Sequence, residues 1–176
     1  TPYSTPAPRF AASETTAANL ASITGRYTAL LVPFASTLVG YDTALVIANT
    51  TEDPGATAMG VAYAAAPQSG TITFYFFPQT TTLPMSTYTT AAGSPGAGLD
   101  TTGKLVSGGT YSVLVSYIAP LATPALSSFS GYIIAVTNFT NAHGMFVIGD
   151  FSAVPTKPTL QSGLMQVLYN LSLIHI

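Results

Sequence analysis

The residues whose types and spacing could do chemistry lie in one apolar stretch, FSGYIIAVTNFTNAHGMFVIGDFS, residues 129–152. It carries Asn138, Asn141 and His143, and Asp150 follows shortly after. With the abundant serines, these are the residue types of a hydrolytic triad, in which a base activates a hydroxyl and an acid orients the base. The Gly-x-Ser-x-Gly turn that presents such a serine is missing. The simpler expectation is a hairpin corner, with a strand over 131–139, a loop over 140–144 and a returning strand over 145–151. Asn141 and Gly144 tolerate the positive φ of such a loop, and Asn138 and His143 can bond its backbone groups. No catalytic residue is assigned on this reading, and the chain is not expected to be an enzyme.

Two other constellations invite chemistry. GLDTTGKL at 98–105 matches the first seven positions of the phosphate-loop pattern, but Leu105 stands where a hydroxyl would hold Mg²⁺. The pattern should open a helix, and the strand-like LVSGGTYSVLV follows instead, so a chance match is expected. Asp42, Glu52 and Asp53 could meet at one end of a strand bundle and hold Ca²⁺, although solvated turn charges are the plainer reading. No metal or cofactor is assigned. Asn49, Asn138 and Asn170 each head an Asn-x-Ser/Thr glycosylation pattern. Tyr63, Tyr75, Tyr88 and Tyr132 are candidates for stacking on sugars.

The elements that must position these residues are built from unusual material. Only 6% of the 176 residues are charged, against about 25% in an ordinary soluble domain. From Leu105 to Gly149 there is no Asp, Glu, Lys or Arg. The surface must therefore come from Thr, Ser, Gly, Asn and Gln. A chain without mixed surface charge either tolerates close packing against its own copies or is coated, for example by glycans. Four basic residues cannot neutralise a run of phosphates, which argues against nucleic acid as a partner. No stretch reaches the ~20 apolar residues of a membrane helix. Cysteine is absent, which excludes thiol catalysis, thiolate zinc sites and a disulfide framework. The chain opens at Thr1 without a leader-like segment, and a leader removed before this point is expected.

Residues 1–26, with three prolines among the first nine, read as an extended arm with a short helical piece around 14–22. From there the texture changes to short β-branched and aromatic runs between turn signals. TALLV (28–32) stops at Pro33, DTALVIAN (42–49) at a Pro-Gly turn, TAMGVAYA (57–64) at PQSG and GTITFYFF (70–77) at Pro78. KLVS leads through Gly108-Gly109, a hairpin signal, into the alternating TYSVLVSYI (110–118). LQSGLMQVLY (160–169) gives a last strand, and 78–102 reads as a long polar excursion. About eight or nine such strands without an amphipathic helix imply an all-β fold. The expected architecture is an antiparallel β-sandwich, jelly-roll or Ig-like, with an extended N-terminal arm.

Three stretches resemble hallmarks of a family of secreted bacterial β-rich proteins of unassigned function. They are F-x-G-Y-I-I-A-V-x-N-F-x-x-A-H-G at 129–144, GYDTALVIANTTEDPG at 40–55 and SGTITFYFF at 69–77. The resemblance implies export and a β-domain, and it carries over no catalytic residue. Members of that family often have cysteine where this chain has Ile72 and Thr137, as if a cross-link had been lost as a unit.

Charge poverty, the all-aromatic run Phe74-Tyr75-Phe76-Phe77 and the separate arm lead to one expectation. The chain is a structural subunit of an extracellular polymer, a surface filament or matrix fibre. Residues 27–176 form a single sandwich, and residues 1–26 add as a donor strand to a neighbour, anchored by Tyr3, Phe10 and Leu20. Its partners are then copies of itself, joined head to tail, and glycans. The competing expectation is a secreted carbohydrate-binding or adhesive module. A viral coat subunit, an outer-membrane barrel and a hydrolase rank behind it. The C-terminal LSLIHI reads as either an edge strand or a foreign sequence end.

Overall fold

The computed structural model describes residues 22–23, 26–52, 66–80, 83–152, 155–171 and 174–175. Nine strands form two antiparallel sheets, and they are numbered here in chain order. After the two-residue β1 (Ser22–Ile23) come β2 (Tyr27–Ser36), β3 (Asp42–Asn49), β4 (Ile72–Pro78), β5 (Ser86–Thr89) and β6 (Thr110–Leu114). Then follow β7 (Ser130–Thr137), β8 (Ala142–Gly149), β9 (Gln161–Leu164), β10 (Gln166–Leu171) and β11 (Ile174–His175). One sheet has the order β10-β2-β7-β4-β5 and the other β6-β3-β8-β9, while β1 pairs with β11. The fold is the all-β sandwich that the alternation implied.

Period-two alternation puts one face of each strand inside. Leu45 and Ile47 of β3, Ile72, Phe74 and Phe76 of β4, Ile133 and Ala135 of β7, and Phe146 and Ile148 of β8 all point into the core. Phe76 meets Phe129 edge to face at 5.3 Å, a geometry that adds roughly 0.5–1.5 kcal/mol beyond area burial. The aromatic run divides cleanly. Phe74 and Phe76 fill the core, while Tyr75 and Phe77 stand on the outer face. Ile72 and Thr137 are direct cross-strand partners between β4 and β7, both fully buried.

Several expected boundaries move. β2 does not stop at Pro33 but runs to Ser36, with a register shift between Val32 and Ala35. Its neighbour β10 pairs only as far as Leu31, so Pro33 needs no donor toward that side. The run 110–118 is a strand only to Leu114, and Val115–Ile118 close one helical turn that buries Val115 and Ile118 and leaves Tyr117 outside. Of KLVS only Leu105 pairs, with Gly70 rather than across a Gly108-Gly109 hairpin. The excursion 78–102 contains β5. The expected strand 57–64 lies outside the described residues.

Two differences change the topology. The corner at 138–141 is not a hairpin. β7 belongs to the five-stranded sheet and β8 to the four-stranded one, so the segment arches from sheet to sheet. Its local chemistry is still that of a tight turn, with Asn141 at φ 57°. Thr28 Oγ donates to Phe139 O, and Thr137 Oγ also donates there. Gly144 lies inside β8 rather than in the loop. The expected strand 160–169 is likewise two strands. β9 pairs with β8 in one sheet, Met165 turns inward, and β10 pairs with β2 in the other.

Candidate functional site

His143 sits exposed on β8 opposite Ala48. Asp150 follows the far end of the same strand, about 23 Å away at the rise of an extended chain. Its carboxylate accepts hydrogen bonds from Ser152 N, Thr156 N and Thr156 Oγ. The Ser152 and Thr156 hydrogen bonds hold that carboxyl well below its ordinary pKa. His143 and Asp150 therefore do not form a pair.

The other motifs resolve into turn chemistry. In GLDTTGKL, Asp100 Oδ1 accepts from Thr102 N, Thr102 Oγ and Lys104 N, and no helix follows. The hydrogen bond from the Lys104 backbone, followed by that from the Thr102 side chain, lowers the Asp100 pKa. Asp42 begins β3, and Glu52 lies past its other end, so the alternative of an acidic cluster does not assemble from these two. Asp53 lies outside the described residues. Among the described residues no three His, Cys, Asp or Glu gather as a metal site.

The asparagines differ in kind. Asn49 is 1% exposed. Its amide nitrogen donates to Gln68 O and Leu105 O, and its oxygen accepts from Thr51 N and Thr51 Oγ. Gln68 continues the network by donating to Thr140 Oγ and accepting from Thr140 N. A glycan on Asn49 would replace one of the two amide hydrogens, and so break one of these two bonds, at a side chain closed off from solvent. Asn138 is exposed at the arch, and the backbone of Asn170 lies in β10 opposite Thr28.

Among the candidate aromatics, Tyr88 packs on Phe74 and donates to Ser94 Oγ. Tyr63 is outside the described residues. Tyr132 is 42% exposed and stacks on Phe77, its cross-strand partner, at 4.6 Å and 7°. Beside this pair stands Phe34, which sequence reasoning missed because Pro33 read as a strand end.

The feature with the clearest functional geometry is the edges. β5 is closed by Thr123, which exchanges two backbone hydrogen bonds with Thr87. β6 is closed in the same way by Ala97 on Ser112. On the opposite side, β9 and β10 are the outermost strands of their sheets, and among the described residues neither has an outer partner. β9 also presents Leu164 at 83% exposure, flanked by Leu160 at 57%. The adjacent pair Leu164-Met165, which breaks the alternation, was the sequence signal for this crossing. The arm anchors Tyr3, Phe10 and Leu20 lie outside the described residues. No helix among the described residues is long and apolar enough to cross a membrane. No protein-family model matches the chain, and neither a curated protein nor a solved structure matches it.

Proposed function

We propose that this chain is the structural subunit of an extracellular polymer, a surface filament or matrix fibre, joined by strand addition of the N-terminal arm to a neighbour. The observation that carries this reading is the contrast between edges. An unpaired strand edge is a template for another chain, and proteins that must stay apart blunt it with charge, proline or a covering loop. β5 and β6 are covered. β9 carries no charge and an almost fully exposed leucine. One subunit's arm on the next subunit's β9–β10 side is a head-to-tail contact that need not close into a ring. The near-absence of charge removes the repulsion that would oppose such stacking.

The test is electron microscopy of the full chain beside a version lacking residues 1–21, which leaves β1 in place. Filaments from the first and dispersed particles from the second are the expected result. Dispersed particles from both would end this reading. The exposed Tyr132–Phe77 stack favours a second one, a secreted carbohydrate-binding module. Its mark would be glycan-array binding lost in Tyr132→Ala.

A further inference from the structure

The outer face of the five-stranded sheet holds a groove of about 370 Å³, lined by Pro33, Phe34, Phe77, Pro78, Gln79 and Tyr132. It runs into a second hollow of about 320 Å³ that shares Pro78 and Gln79 and extends to Leu38 and Leu83. The first groove opens beside the stretch of β2 that β10 leaves unpaired, since β10 stops opposite Leu31. Phe34 is 38% exposed there although a core position lies next to it.

We infer that this groove seats the proline-rich tip of a neighbouring subunit's arm, residues 1–10, TPYSTPAPRF. The inference rests on the arm-exchange reading and assigns the arm its second anchorage. The lining has three aromatic rings, two prolines and one carboxamide, and no charged side chain. That is the chemistry that recognises a polyproline II segment. Flat rings pack against proline rings, and one donor side chain bonds a backbone carbonyl of the ligand. Gln79 can supply the donor, because its Oε1 accepts from Ser130 Oγ while its nitrogen carries two N–H groups. The chain outside the described residues fits this occupant in composition. Pro2, Pro6 and Pro8 fall within its first eight residues, with Tyr3 and Phe10 as apolar companions. It also fits in length. The 21 residues before β1 span up to about 70 Å when extended. The groove lies about 23 Å along β2 from Tyr27, at strand rise.

The arm is long enough to reach its own groove as well as a neighbour's, so the experiment must separate the two. The chain has no cysteine, which makes disulfide trapping clean. Full-length Ala7→Cys and full-length Thr80→Cys, which keep the three prolines and the Gln79 donor, are mixed under mild oxidation, and dimers are read on a non-reducing gel. Ala7→Cys mixed with Thr101→Cys, on a distant loop, is the control. The expected result is a heterodimer yield about tenfold above the control, as the raised local concentration of a docked segment gives. Excess synthetic TPYSTPAPRF should suppress it. Yield equal to the control overturns the inference, as does a bond that forms only within one Ala7→Cys/Thr80→Cys chain at high dilution. Filaments that persist in the microscope while trapping fails would leave arm exchange standing and remove only this seat. Trapping suppressed by an oligosaccharide but not by the peptide would hand the groove to the carbohydrate reading.

Discussion

On one side of the sandwich, β5 and β6 each receive a single bridging residue from a loop, Thr123 on Thr87 and Ala97 on Ser112. On the other, one continuous segment supplies β9 to the four-stranded sheet and β10 to the five-stranded one, crossing at Met165. Both sides are built from the same charge-poor Thr/Ser/Gly sequence, so the difference is one of backbone pairing and not of composition. A bridge satisfies the outward N–H and C=O of the edge residue it meets, and nothing further can add there without displacing it. The crossing segment has spent its inner hydrogen bonds on β8 and β2, and among the described residues nothing pairs with its outer side. What covers an edge of this low-charge sandwich is therefore local, and among the described residues it is found on one side.

The largest effect should come from breaking a cap. Gly98 has φ +106°, and a side-chain carbon there would collide with the backbone oxygen of Thr110. Gly98→Ala combines left-handed backbone strain with overpacking, a loss of about 2–4 kcal/mol. The Ala97–Ser112 bridge next to it should open. Denaturant unfolding should show the loss, and sedimentation should show new self-association through β6. If Gly98→Ala is stable and monodisperse, the cap is not what protects that edge.

Next comes the crossing. Met165 is buried, and its backbone N–H donates to Gly144 O at 2.8 Å. Met165→Ala should cost about 2–3 kcal/mol through the cavity it leaves. Because the backbone pairing of β9 and β10 does not need the side chain, assembly should persist at temperatures where the variant remains folded.

Acid should loosen both sides together. Asp100 staples the turn that follows the Ala97 cap, and Asp150 staples the start of the connection from β8 to β9. Hydrogen bonds lower both pKa values in the fold. A carboxylate whose pKa is depressed by folding stabilises the fold above its unfolded value, about 4. It loses that contribution as pH falls through the depressed folded value. Protection of the Lys104 and Thr156 amides, taken relative to intrinsic exchange at each pH, should hold above about pH 4 and fall as pH drops from there toward the depressed folded values. Asp150→Asn should lower the protection of Thr156 wherever the wild-type carboxylate is ionised, and the acid dependence of that protection should vanish.

Strand positions were legible in the sequence wherever one face is buried, because alternation such as Leu45/Ile47 or Ile133/Ala135 is a local signature of a distant core. Partnership was not legible. A tight turn at Asn141 has the same residue preferences whether the next strand folds back in its own sheet or arches to the other. That choice is made by distant partners: β8 pairs along β3, and Thr28, more than a hundred residues away, ties the arch by donating to Phe139 O and accepting from Ala142 N. The motif at 98–105 failed for the opposite reason. Its glycines and Asp100 are demanded by a turn, and turn chemistry is shared by many loops that bind nothing. Asn49 looked like a surface acceptor from its tripeptide. Only the fold shows that it is the buried tie between β3, Gln68 and Leu105.

The smallest thermodynamic effect should discriminate most sharply between the two sides. Leu164 is 83% exposed, so Leu164→Lys should change folding stability by no more than about 0.5 kcal/mol. It places a desolvation cost and like-charge repulsion in the path of any strand that adds to β9. Ser112→Lys is the matched change on the capped side, where the position next to an incoming strand is already taken by Ala97. Both variants add one positive charge to the same chain, so a general effect of net charge on association would weaken both equally. Assembly by way of the open side predicts instead that Leu164→Lys disperses the particles and Ser112→Lys does not. Equal behaviour of the two would mean that the difference between covered and uncovered edges has no part in how copies of this chain meet.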